Sequence, residues 1–178
     1  MQIVEISKKI CMLGSFGVGK TSLVRQFVFR EFQENYFSTI GVQMTQKILP
    51  PFENTFGKRT EQLKLILWDL AHVEKFDSVV KNYFRGAHGA IVVFDLTRPQ
   101  SFKNTNIFLK PFIETNPDSK IIIVGNKIDL TKKENIDTAH FEKFTEKYKT
   151  DYLFTSARTG ENVEELFLKL GKLILGDS

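Results

Sequence analysis

Residues Gly14 to Thr21 read Gly-Ser-Phe-Gly-Val-Gly-Lys-Thr, a glycine followed after four residues by Gly-Lys-Thr, directly behind the apolar run Ile10 to Leu13. Glycines in such a loop let backbone N–H groups turn inward around a phosphate. A lysine at this offset brings a point charge to the β- and γ-phosphates, and the neighbouring hydroxyl ligates Mg²⁺. The phosphate-lining set is therefore Ser15, Phe16, Gly17, Val18, Gly19, Lys20, Thr21 and Ser22, with Lys20 as the catalytic charge and Thr21 as a metal ligand. A glycine turn that merely joins strand to helix would account for one or two glycines, but not for the Lys-Thr pair before a helical pattern. The loop implies a nucleotide polyphosphate and leaves base and reaction open, because kinases, ATPases and GTPases share it.

The base is narrowed further along the chain. Asn126-Lys127-Ile128-Asp129 follows the strand-like run Ile121 to Gly125. A carboxylate at a strand end can accept from both the N1–H and the 2-amino group of guanine, whereas adenine presents the opposite pattern and would leave Asp129 unpaired. Ser156-Ala157-Arg158 follows a second β-like run, Tyr152 to Phe154, and can offer backbone N–H donors to the guanine carbonyl. Either segment alone reads equally as a turn; in this order behind a phosphate loop they specify guanine.

These motifs resemble a small GTPase of the Ras superfamily, nearest its Rab-like branch, over nearly the whole chain. The resemblance implies an α/β fold: a P-loop NTPase G domain, three-layer α/β/α, with a mostly parallel six-stranded sheet. It implies GTP/GDP and Mg²⁺ as cofactors. Tyr36 to Val42 resembles the first switch, with Thr39 ligating Mg²⁺ and sensing the γ-phosphate. Phe32 matches the aromatic that packs on guanine, and Trp68-Asp69-Leu70-Ala71 resembles the start of the second switch, with Asp69 reaching Mg²⁺ through water. Effector proteins would read the switches at Phe37, Ile40, Val42, Trp68 and the helix Lys75–Phe84, and an exchange factor and an activating protein are implied as further partners. Membrane trafficking and signalling are the settings the resemblance suggests.

The departures from the family are equally informative. After Ala71 the family has Gly-Gln; this chain has His72-Val73. The glycine normally gives an N–H to the γ-phosphate and the glutamine orients the attacking water, a task for which valine has no polar atom. Phe16 stands where the family carries a glycine or another small residue, so a benzyl group crowds the γ-phosphate, the water and the path of an arginine finger. Nucleotide binding should survive, since neither side chain belongs to the cradle, and hydrolysis should be impaired. Hydrolysis with His72 as base or donor stays open, as does a non-catalytic GTP-binding scaffold. A nucleotide kinase is opposed by Asp129 and Thr39.

The elements that must position these residues alternate. Strand-like runs cover Ile6–Leu13, Val42–Leu49, Leu63–Asp69, Ala90–Asp95, Ile121–Gly125 and Tyr152–Phe154; helical patterns cover Gly19–Arg30, Glu74–Arg85, Gln100–Glu114, Thr138–Tyr148 and Val163–Leu175. Such alternation predicts a parallel sheet with its site at the strand C-termini. Pro111 predicts a kink or an early stop. The stripe Val163, Leu166, Phe167, Leu170 and Leu173 predicts core. Residues 1–178 are expected to form a single domain, with 50–60 as an inserted loop whose Phe52 and Phe56 either pack on the sheet edge or meet a partner. A net charge of +4 from 25 basic and 21 acidic interspersed residues gives no support for nucleic-acid binding. The lone Cys11 allows no disulfide framework, no run approaches a membrane span, and no prenylation cysteine stands near Ser178. A cytoplasmic, intracellular setting is expected, with peripheral membrane attachment if a tail is missing.

Overall fold

Period-two alternation along the central strands decides the architecture. In β1 (Ile3–Leu13), Ile10 and Met12 enter one core while Cys11 and Leu13 enter another. β5 (Gly89–Asp95) and β6 (Lys120–Asn126) repeat this, with Ile91, Val93, Ile122 and Val124 on the first face and Ala90, Val92, Phe94, Ile121 and Ile123 on the second. Strands apolar on both sides need cover on both faces. The computed structural model describes residues 3–33, 41–53, 60–70 and 78–176.

The main sheet path is β2-β4-β1-β5-β6-β7, with β2 (Val42–Ile48) antiparallel to β4 (Thr60–Leu70) and the other pairings along the path parallel, out to β7 (Asp151–Thr155). These are the expected six strands in a three-layer arrangement. Helices α1 (Lys20–Phe29) and α6 (Val163–Leu175) cover the first face. There Phe27 and Phe167 stack at 3.9 Å, and Val163, Leu166, Phe167 and Leu170 form the buried stripe. Helices α2 (Ser78–Phe84), α3 (Pro99–Lys103), α4 (Thr105–Thr115) and α5 (Thr138–Tyr148) cover the second. Phenylalanines dominate that layer, Phe102 meeting Phe94 at 4.9 Å and Phe141 at 4.8 Å in edge-to-face geometry.

Two expectations are corrected. The helical run over 100–114 breaks at Asn104 and does not stop early at Pro111, since α4 continues through the proline. At the break Thr105 Oγ1 donates to Phe102 O at 2.6 Å, and the Asn104 N–H donates to Gln100 O at 3.2 Å. The carbonyl that Pro111 deprives of a donor belongs to Ile107, on the helix's exposed side. The 50–60 segment is not wholly loop: β3 (Phe52–Glu53) pairs antiparallel with the start of β4, adding a seventh strand off the main path. Phe52 is half-buried against the first core, where its ring would lie 3.2 Å from a Cβ at Gly171 of α6. Phe56 lies outside the described residues.

Candidate functional site

The C-terminal ends of β1, β4, β5, β6 and β7 lie along one edge of the sheet, and each supplies a group to the same region. Behind β1 the loop of residues 14–19 leads into α1. That helix has no side-chain cap and no acid in its first turn, so its N-terminal amides and dipole remain suited to an anion. Gly14 and Gly19 both require glycine: at φ +140° a Cβ on Gly14 would lie 2.2 Å from Val93 O, and at φ +103° one on Gly19 would lie 2.2 Å from Asn126 Nδ2.

Lys20 is 8% exposed. Its Nζ donates to Gly14 O at 2.9 Å and Ser15 O at 3.1 Å. Burial lowers its pKa to about 8, against the opposing pull of Asp69. Thr21 Oγ1 donates to Asp69 Oδ2, and Asp69 Oδ1 is buried with no hydrogen-bond partner. Burial holds the Asp69 carboxyl above the usual carboxylate range, although the Thr21 bond and the Lys20 charge draw it down. A buried, orphaned carboxylate oxygen beside a hydroxyl is a hard oxygen set that fits Mg²⁺. Among the described residues no three His, Cys, Asp or Glu gather as a metal cluster.

The base side is a cavity of about 330 Å³, within the size range of small-molecule sites. Gly17, Gly19, Ser22, Phe32, Asn126 and Asp129 line it, with Lys127, Ala157 and Arg158 beside them. Asn126 is buried, and its amide ties three segments: Nδ2 donates to Val18 O at 3.0 Å, while Oδ1 accepts from Ala157 N–H at 3.1 Å and Thr155 Oγ1 at 3.2 Å. Lys127 adopts a left-handed backbone with φ 68°, uncommon for a residue bearing a Cβ. Its Nζ donates to Gly17 O at 3.0 Å and lies 2.7 Å from Asp95 Oδ2. Asp129 Oδ1 accepts from Ser156 Oγ at 2.7 Å.

Two of the N–H groups expected to face a guanine carbonyl are committed within the protein instead. Ser156 N–H donates to Glu161 O at 3.1 Å and Ala157 N–H to Asn126 Oδ1, because the turn between β7 and α6 closes on them. The candidates brought together are thus Ser15 to Ser22, Phe32, Asp69, Asn126, Lys127, Asp129 and Ser156 to Arg158. Tyr36, Thr39, Ala71, His72 and Val73 lie outside the described residues. Gln33 and Leu130 also line the cavity; their positions beside Phe32 and Asp129 were the available signal. Asp95 and Arg98, which brace the phosphate loop, belong to no motif, and only the place of Asp95 at the end of an apolar strand hinted at a role.

A phosphate-binding loop at the carboxyl edge of a mostly parallel sheet, with a base cavity beside it, defines an α/β nucleotide-binding protein. Residues 9–176 match the model of the Ras family. The chain is 36% identical to Ras-related protein Rab-4B of Homo sapiens over 94% of its own length and 76% of the relative's. It is 37% identical to Ras-related protein Rab-30 of Homo sapiens over 100% and 85%, and 36% identical to Ras-related protein Rab-4A of Rattus norvegicus over 94% and 74%. The chain belongs to the Ras family, as a Rab-like small GTPase of the GTP-binding switch type. Members of this family generally bind guanine nucleotide and Mg²⁺ and engage effectors, exchange factors and activating proteins. Among the described residues no helix is long and apolar enough to cross a membrane.

Proposed function

We propose that this chain is a guanine-nucleotide switch with slow intrinsic hydrolysis, which holds its GTP form long and presents that form to effectors. The observation that carries this reading is Phe16. Phe16 is 46% exposed in the same loop that holds the buried Lys20, which supports a benzyl group free to crowd the outer phosphate and the approach of an activating arginine. Lys20 would neutralise phosphate charge, Thr21 directly and Asp69 through water would hold the cation, and Asp129 would accept from the guanine edge. Bound Mg²⁺ would supply charge stabilisation between the outer phosphates. None of these groups depends on Phe16 or Val73, so binding is retained.

Turnover needs more. It needs a polar group to orient water, which Val73 lacks, and room for an activating arginine, which Phe16 occupies. An arginine finger contributes roughly 10³ to 10⁵ in rate, so its exclusion together with the loss of a water-orienting group leaves little hydrolysis. Effector contact would involve Val42 and Trp68. Trp68 is half-buried, with Lys9 Nζ 3.9 Å above its ring.

The test is single-turnover hydrolysis of protein preloaded with GTP and Mg²⁺, comparing wild type with Val73→Gln, Phe16→Gly and the double variant. Negligible wild-type turnover that recovers in the double variant supports the reading. Appreciable wild-type turnover that disappears in His72→Ala overturns it and assigns His72 the catalytic role.

A further inference from the structure

Three consecutive carbonyls of the phosphate loop are each held by a side chain from beyond the loop. Arg98 Nη2 donates to Phe16 O at 3.0 Å, Lys127 Nζ to Gly17 O at 3.0 Å, and Asn126 Nδ2 to Val18 O at 3.0 Å. A trans peptide unit is planar, with its N–H directed opposite to its C=O. Holding these three carbonyls outward therefore aims the N–H groups of Gly17, Val18 and Gly19 to the inside of the loop, where successive amides form a concavity for an anion.

Lys127 and Asn126 belong to the base-recognition motif. Arg98 does not, and its placement has its own support. Asp95, 1% exposed, receives Arg98 Nε at 3.0 Å and Lys127 Nζ at 2.7 Å on Oδ2. Asp95 Oδ1 takes the Thr97 N–H at 2.9 Å and Thr97 Oγ1 at 2.6 Å. One buried carboxylate thus anchors both cations that grip the loop, and each cation passes the constraint to the next carbonyl. The guanidinium lies close over Gly17: a Cβ there would be 3.6 Å from Arg98 Nη2.

We propose that Arg98 is a positioning residue for the nucleotide, fixing the peptide plane between Phe16 and Gly17 so that the Gly17 N–H faces the phosphates and slows nucleotide release. The inference rests on the guanine-nucleotide reading above. The guanidinium suits the task because its fork can hold Asp95 with one nitrogen and the carbonyl with another.

The test uses the full chain loaded with a fluorescent GDP analogue and Mg²⁺, chased with excess GDP, for wild type, Arg98→Ala and Arg98→Gln. Phosphorus NMR of bound GDP and thermal unfolding of the nucleotide-free proteins accompany it. Losing a charge-assisted bond that holds the loop should speed release about tenfold in Arg98→Ala, with Arg98→Gln between it and wild type. The β-phosphate resonance should move relative to the α, and this shift is the diagnostic reading, because the nucleotide-free unfolding temperature also falls when Asp95 loses one of its two cations. Unchanged release with an unmoved β resonance overturns the inference. Faster release accompanied by a lower unfolding temperature and no β shift also overturns it, because that is general loosening. A wild-type protein that takes up no GDP overturns the nucleotide reading itself, and this inference with it.

Discussion

Lys20 makes the empty and the occupied site titrate differently. The buried Lys20 ammonium donates to two carbonyls, and burial lowers its pKa from 10.5 to about 8. Phosphates next to Nζ favour the charged form and return the pKa to its ordinary range or above. Above about pH 8 the empty site prefers a neutral lysine while the nucleotide needs a charged one, so binding takes up a proton and weakens as pH rises through about 8. The charged fraction of the empty state falls from roughly nine-tenths at pH 7 to roughly a quarter at pH 8.5. Affinity for GDP with Mg²⁺ should therefore fall about fourfold, and proton uptake should rise from about 0.1 to about 0.75 per nucleotide. Titration calorimetry in two buffers of different ionisation enthalpy reads both quantities, below the pH at which guanine itself loses its N1 proton. The empty protein behaves oppositely. Its folded Lys20 pKa lies below the unfolded value, so the unfolded chain binds more protons above about pH 8, and stability rises with pH there. Cys11, pushed up to about 12 by burial, opposes this from its ordinary 9.0 upward, so the interval between about 8 and 9 is the one to read. Proton uptake near zero at pH 8.5 would refute the reasoning.

Three further perturbations follow from the same geometry. Asp69→Asn removes the carboxylate that reaches the cation from outside its inner ligands and should weaken Mg²⁺ retention roughly 10- to 100-fold, read by Mg²⁺ titration of GDP release. In the wild type, the raised Asp69 pKa makes Mg²⁺ displace a proton as pH falls toward it, so retention should weaken on the acid side. Gly19→Ala places a Cβ 2.2 Å from Asn126 Nδ2 at a backbone φ of +103°; it should abolish GDP binding while circular dichroism shows a folded chain. Asp129→Asn loses the charge-assisted pair to guanine and should weaken GDP roughly 10²-fold, while binding of xanthosine diphosphate improves because the amide can donate to its 2-oxo group.

What the sequence made legible follows from the range over which each constraint acts. The phosphate loop is contiguous, so glycine, lysine and threonine at fixed offsets made the motif readable, and the run Asn126 to Asp129 made the proposed base-recognition segment readable in the same way. Two-sided apolar strands such as Ala90 to Phe94 announced a sheet covered on both faces, because no other arrangement buries both sets of side chains. Local rules misled where a tertiary partner outweighed them. Pro111 lies inside α4 because packing of Phe108, Leu109 and Phe112 carries the helix across it, whereas the break falls at Asn104, seven residues earlier. Phe52 sits in a segment rich in turn residues, yet Gly171 on α6 leaves space for its ring, and that space was invisible from either position alone. Arg98 is the extreme case. In sequence it is a charged residue beside a proline, indistinguishable from a solvated loop arginine, and its side chain is in fact 47% exposed. The bond that orients the Phe16 peptide spans 82 residues of chain. The motif supplies donors able to bind phosphate; the groups that turn those donors inward come from the ends of β5 and β6, which meet the loop only once the sheet has formed.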